Sequence, residues 1–300
     1  MHRTPRVLVA AAAVACSTLF LAACASGGES LAAESDSATP AVAQREDLPS
    51  GPVLDRIQRD GELVVGMPED LKGFAFLDPI SGEYTGFEAD LAAMLAEYLL
   101  GEASVRHVTV TADTRESLLQ NGTVDVVLST YQITEPRLEK IDFAGPHMQL
   151  GTALISTADW EGEIATAEDL AGLKVITTAG AAADYLGTAA PDATPVVFDS
   201  LSACIQALKD GRGDVFLNNT AVAIGLIADD EDLALAGSFD AALFGIGTSK
   251  EDPAFTKVVN EFLEQIETDG QWAEAWDRNV GVITGEPAPT PPTIGTLFLD

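Results

Sequence analysis

Leu119-Gln120-Asn121-Gly122-Thr123-Val124-Asp125-Val126-Val127-Leu128 has an echo in Leu208-Lys209-Asp210-Gly211-Arg212-Gly213-Asp214-Val215-Phe216-Leu217, with Asp125 and Asp214 standing 89 positions apart. Each run reads as a helix end, a glycine stop, a short turn and an Asp-led strand apolar enough to be buried. Helix-turn-strand phrases of this kind are common in α/β proteins. The echo therefore fits either two similar lobes or a chance recurrence within one larger sheet.

Outward from these phrases, short apolar runs alternate with helical periodicity. The pattern predicts strands over 63–66, 105–110, 125–128, 174–177, 195–198 and 214–217, and helices over 87–99, 115–120, 167–171, 201–209, 221–228 and 253–267. Thr114 and Thr166 stand where N-caps are needed, the latter with Asp169 three residues on. Strands separated by helices imply an α/β fold with mainly parallel pairing, because a parallel crossover needs a connection of helical length.

Arg3 and Arg6 precede an uncharged apolar run over 7–23 that ends in Leu21-Ala22-Ala23-Cys24, the layout of a secretory signal over 1–23. The tetrapeptide resembles the lipobox of bacterial lipoproteins, which implies a diacylglycerol thioether on Cys24, the new N-terminus after cleavage. An uncleaved membrane helix is the alternative, of borderline length. Residues 24–52, rich in Ala, Ser, Gly, Glu and Asp without a period, read as a disordered tether, and the Pro-rich 284–300 as a C-terminal extension along the surface. With Cys16 lost and Cys24 acylated, Cys204 has no partner for a disulfide and reads as a small core residue.

An apolar content of 47% is ample for packed cores. The 47 acidic against 16 basic residues leave a net −31, which excludes nucleic acid as a partner for want of a basic footprint. The same acidity repels anionic lipid, so membrane attachment has to be covalent. His107 and His147 make no metal spacing, and neither a Gly-x-Ser-x-Gly elbow nor a phosphate loop occurs, so no cofactor is expected.

In open α/β sheets the ligand crevice lies beyond the carboxyl ends of the strands. Four loops qualify: Met67-Pro68-Glu69-Asp70-Leu71, Ser129-Thr130-Tyr131-Gln132, Thr178-Ala179-Gly180-Ala181-Ala182 and Asn218-Asn219-Thr220. Arg137, just past the second of these, carries a rigid fork suited to a carboxylate. By sequence alone the alternative, an exposed pairing with Glu135 or Glu139, is slightly favoured. Gly180-Ala181-Ala182 opens a helix whose free N–H groups attract an anion.

The series Gly86-Phe87-Glu88-Ala89-Asp90-Leu91, Ile133-Thr134-Glu135-Pro136-Arg137, Ile141-Asp142-Phe143-Ala144-Gly145-Pro146 and Phe244-Gly245-Ile246-Gly247, with the 119–130 phrase, is similar to the family 3 extracellular solute-binding proteins, above all glutamate-binding lipoproteins of Gram-positive bacteria. The resemblance spans about 54–281. It implies a two-lobed periplasmic-binding-protein-like fold of type II, with two α/β lobes joined by hinge segments near 150–155 and 241–247. Lobe 1 would comprise 53–150 plus 245–283, and lobe 2 would comprise 151–244. It implies a monomeric receptor that hands a polar amino acid such as glutamate, glutamine or aspartate, or a related small carboxylate, to ABC permease subunits.

Residue by residue, the resemblance puts Arg137 on the ligand α-carboxylate and Thr130 and Gln132 on the first-lobe loop. Gly180 and Ala181 fall on the second-lobe loop, and Leu71 or Phe74 on the apolar wall. Asn219 stands where the family has an Asp for the ligand ammonium, and Ala181 where it has a Thr, so Glu69 or Asp70 would have to supply the missing negative charge. Two other readings share the scaffold: a cyclohexadienyl-dehydratase-like enzyme using Glu69 or Asp70 as acid or base, and a ligand sensor for a membrane partner.

Overall fold

The computed structural model describes residues 39–298 apart from Ala112, Ala179 and Gly180. The strands are β1 (Leu63–Met67), β2 (Asp70–Leu71), β3 (Ala75–Leu77), β4 (Tyr84–Thr85), β5 (Val105–Thr109), β6 (Val126–Val127), β7 (Asp142–Thr157), β8 (Lys174–Thr178), β9 (Thr194–Phe198), β10 (Val215–Asn219) and β11 (Leu233–Thr248). The helices that matter below are α1 (Pro52–Asp60), α2 (Phe87–Leu100), α3 (Arg115–Gln120), α4 (Glu135–Leu138), α5 (Ala181–Ala189), α6 (Leu201–Lys209), α7 (Thr220–Asp229), α8 (Pro253–Asp269) and α9 (Gln271–Trp276). The 167–171 helix is a single 3-10 turn, Ala167–Leu170, closed by the capping box of Thr166 and Asp169.

Eight strands form one sheet in the order β5-β1-β6-β11-β7-β10-β8-β9. At one end β5, β1 and β6 are parallel, and at the other so are β10, β8 and β9. Between them the 16-residue strands β7 and β11 run antiparallel to each other and serve both ends. Each end buries its own helices, α2, α8 and α9 on one and α6 on the other, around separate apolar cores. These are two α/β lobes sharing a pair of crossing strands. Register shifts at Leu235/Gly237, Phe239/Ala242 and Phe244/Ile246 interrupt the crossing ladder.

The sequence echo is a structural repeat down to single bonds. Asp125 donates its N–H to Val64 O at 2.8 Å and accepts the Val64 N–H on Oδ2 at 2.8 Å. Asp214 does the same with Lys174, at 2.8 and 2.7 Å. The glycine stops Gly122 and Gly211 take φ of 71° and 68°, a left-handed turn that a Cβ would oppose. In both lobes, then, a carboxylate seals the open backbone of the neighbouring strand and fixes the register on which the strand-end loops depend.

The tether expectation fails over its last part. Val42 is buried, its N–H donates to Glu97 at 3.0 Å, Arg45 N–H donates to Tyr98 O at 2.9 Å, and the Arg45 side chain pairs with Glu261. The anchors are isolated residues whose partners lie far along the chain, so no local period marks them. Over 286–298 the chain runs without helix or strand. Ala288 and Ile294 pack on the first-lobe core, and Gly295 N–H donates to Gly145 O at 2.9 Å. The signal segment and Cys24 lie outside the described residues.

Candidate functional site

Where the two lobes meet the crossing strands, a cavity of about 230 Å³ opens, lined by Arg115, Thr130, Gln132, Arg137, Leu150, Gly151, Asn219, Thr220, Ala221 and Phe244. Lobe 1 supplies the first four through the β6–α4 loop and α3, lobe 2 supplies the turn from β10 into α7, and β7 and β11 supply the floor. The lobes also touch beside it. Ala221 and Ile224 of α7 are buried in the first-lobe core, and Lys72 pairs with Asp229 at the end of α7.

Arg137 follows from the β6 loop turning into the short α4. Its Nη1 donates to Gln132 O at 2.6 Å and its guanidinium lies 5.0 Å from the Tyr131 ring centre. It makes no ion pair with Glu135 or Glu139. A second guanidinium, unforeseen in the sequence, packs on the same ring: Arg115 lies 3.8 Å from the Tyr131 centre. Arg115 is 7% exposed and donates from Nη1 to Ser129 O at 3.2 Å, while its Nε is buried without a partner. Burial, and next the neighbouring Arg137 charge, press the Arg115 pKa down. Burial pushes Tyr131 up to about 12, so the ring that both cations contact stays a neutral phenol.

One signal for Arg115 was present in the sequence. A cation at the first position of a helix opposes the helix dipole, so Arg115 opening α3 needs a reason outside the helix.

Thr130 lines the cavity at φ 39°, left-handed for a β-branched residue. Asn219 spends its Oδ1 on capping α7, accepting Val222 N–H at 2.8 Å, which leaves its amide NH2 for the cavity. Thr220 ties lobe 2 to the crossing strand through Oγ1, which donates to Gly151 O at 2.8 Å.

The other sequence candidates are not brought here. Glu69 and Asp70 are exposed, and the Glu69 carboxylate accepts the Thr109 hydroxyl. The β2–β3 hairpin carries both away, with Leu77 N–H donating to Glu69 O at 3.0 Å. Leu71 leans on the first-lobe core, and Phe74 is fully buried within it, edge-on to Trp276 at 6.2 Å. Neither forms the cavity wall, because the core offered them more contact. Ala181 opens α5 behind Gly180, which lies outside the described residues. No carboxylate lines the cavity among the described residues.

A small polar cavity between two α/β lobes on paired crossing strands defines a clamp-type solute-binding protein. The chain belongs to the bacterial extracellular solute-binding proteins, family 3, whose model matches residues 63–282. It is 29% identical to the ABC transporter glutamine-binding protein GlnH of Bacillus subtilis, over 87% of this chain and 92% of that one. It is 32% identical to the glutamine-binding protein of Geobacillus stearothermophilus, over 68% and 79%. Among solved structures, the ancestral cationic amino acid solute-binding protein AncCDT-1 superposes with a TM-score of 0.65 at 30% identity, covering 76% of this chain and 99% of that one. The same protein is also described as a precursor of cyclohexadienyl dehydratase.

Proposed function

We propose that this protein is the solute receptor of an ABC importer, held on the outer face of the membrane by lipid on Cys24, and that its solute is an acidic amino acid such as glutamate or aspartate. The observation that carries this reading is the pair of guanidiniums, Arg137 and Arg115, on one small cavity with no carboxylate among its described lining. Two cations against one ring in a partly buried site repel, and an anionic solute relieves both. Arg137 suits the α-carboxylate. Arg115, the second cation of the lining, suits a second carboxylate on the side chain. The B. subtilis relative's membership of an ABC transporter supports the transport role.

A cationic amino acid, the ligand class of AncCDT-1, would bring a third positive charge into the same space. The dehydratase reading loses support because its acid–base candidates, Glu69 and Asp70, stand away from the cavity.

A thermal-shift screen tests the solute. At 100 times Kd, binding adds about 2.7 kcal/mol to stability. L-Glutamate or L-aspartate should raise Tm, and L-arginine should not. Stabilisation by arginine, or by none of the carboxylates, refutes the reading. Metabolic labelling with a fatty-acid probe tests the anchor, and label retained by Cys24→Ser would remove it.

A further inference from the structure

Thr130 forms part of the cavity wall in a backbone conformation that a β-branched residue does not adopt unaided, with φ at 39°. Something outside the loop must hold it. The Thr130 N–H donates to both oxygens of the Glu88 carboxylate, at 2.9 Å each, and has no backbone partner. Glu88 comes from the first turn of α2, far away in sequence, and is wholly buried. Among the described residues its other hydrogen-bond partner is His147, Nε2 standing 3.3 Å from Oε1. His147, wholly buried on β7, is fixed in turn: its ring stacks on Phe87 and its backbone O accepts the Trp272 Nε1–H at 2.8 Å.

A buried carboxylate with no Lys or Arg partner among the described residues is costly to keep for packing alone. This one faces the single loop peptide that needs restraint. We infer that Glu88, seated by His147, is the positioning residue of the solute site: its carboxylate holds the Thr130 peptide in the left-handed conformation that places Thr130 on the cavity wall. The inference rests on the solute-binding reading of that cavity, but the peptide clamp itself exists without ligand. It also links the loop to β7, so the crossing strand and the solute loop share one buried pair.

The test uses the full mature chain, ¹⁵N-labelled, with amide hydrogen exchange read residue by residue and L-glutamate binding read by calorimetry. The Leu128 and Ile133 amides, bonded to Gly66 O at 3.0 Å and Leu243 O at 2.8 Å, serve as internal references. Glu88→Leu removes the acceptor. The Thr130 amide should then exchange at least roughly tenfold faster while the references hold, and glutamate affinity should fall by about tenfold or more. Glu88→Gln keeps an acceptor oxygen and should stay within about threefold of wild type on both readouts.

Unchanged Thr130 exchange or unchanged affinity in Glu88→Leu overturns the inference, as does a Gln variant as impaired as the Leu variant. If Glu88→Leu does not fold, Glu88→Asp, whose carboxylate is withdrawn by one methylene, takes its place with the same expected direction and the same refuting result. His147→Phe keeps the ring stacked and deletes Nε2, and wild-type behaviour there removes His147 from the assignment. Should the wild type bind no glutamate, the solute reading falls, and the exchange arms still decide the clamp.

Discussion

Replacing Arg137 with Ala separates a ligand cation from a structural one. The side chain is half-buried and packs 5.0 Å from the Tyr131 ring centre; among the described residues it makes one hydrogen bond, to Gln132 O at 2.6 Å, and no ion pair. Losing a partly solvated hydrogen bond costs about 0.5–1.5 kcal/mol, and losing an exposed cation–π contact costs about 0.5–1. Stability should therefore fall by only about 1–2 kcal/mol, a few degrees in Tm for a chain of this size. Binding should suffer more, because a bidentate grip on a desolvated carboxylate is worth about 2–5 kcal/mol, roughly 30- to 5,000-fold in Kd. Arg137→Lys keeps the charge without the fork and should fall between the two. Calorimetry with L-glutamate and thermal unfolding on the same samples give both numbers. Affinity within twofold of wild type in Arg137→Ala, or a stability loss large enough to account for the lost binding, would refute the assignment.

Arg115→Gln should narrow the preference for L-glutamate over L-glutamine by about tenfold, since a charged hydrogen bond to the side-chain carboxylate is lost; equal losses for both solutes would place Arg115 elsewhere. Asn219→Asp keeps the α7 cap and puts a carboxylate at the cavity edge, so it should tighten L-glutamate relative to its deaminated analogue, read by competition calorimetry. Gly211→Ala meets no atom within 4 Å and pays only for its φ of 68°, so urea unfolding should show a loss of about 1 kcal/mol, with Gly122→Ala close to it. Burial, with Glu264 nearby, pushes Glu267 from 4.5 up to about 7. A carboxyl raised in the folded state contributes stability that is present below pH 4.5 and lost as pH rises through about 7. Urea midpoints should thus show Glu267→Gln without that loss, and more stable than wild type at pH 8.

The parallel ends of the sheet were legible because β1, β6, β8, β9 and β10 each hold a short apolar run beside glycine or polar residues, and Val105, Val108 and Val110 mark the β5 region. The crossing strands were not. β7 and β11 pass from one lobe's core through the hinge into the other's, and Pro146, Gly151 and Gly237 interrupt them, so no single burial period survives along their length. Only the family resemblance marked their position, and as shorter segments. In the site, Arg137, Thr130, Gln132 and Asn219 were legible because they follow strand ends. Glu69 and Asp70 follow a strand end too, yet a two-residue hairpin strand redirects them, and nothing local announces so small a sheet. Arg115 was concealed because it opens a helix and does not follow a strand end, and Glu88 by a hydrogen bond spanning 42 positions.

Because β7 and β11 are hydrogen-bonded to each other along most of their length, neither passage between the lobes can stretch or slide without the other. A paired ribbon resists extension and shear but yields to torsion, most readily where a bulge has already removed a rung. The freedom of one lobe relative to the other thus reduces to little more than one angle, turning about a line through the interruptions at Phe239/Ala242 and Phe244/Ile246. On the proposed solute-binding reading, Arg137 in one lobe and Asn219 in the other would close on a solute by a turn about that line, not by a slide of the strands.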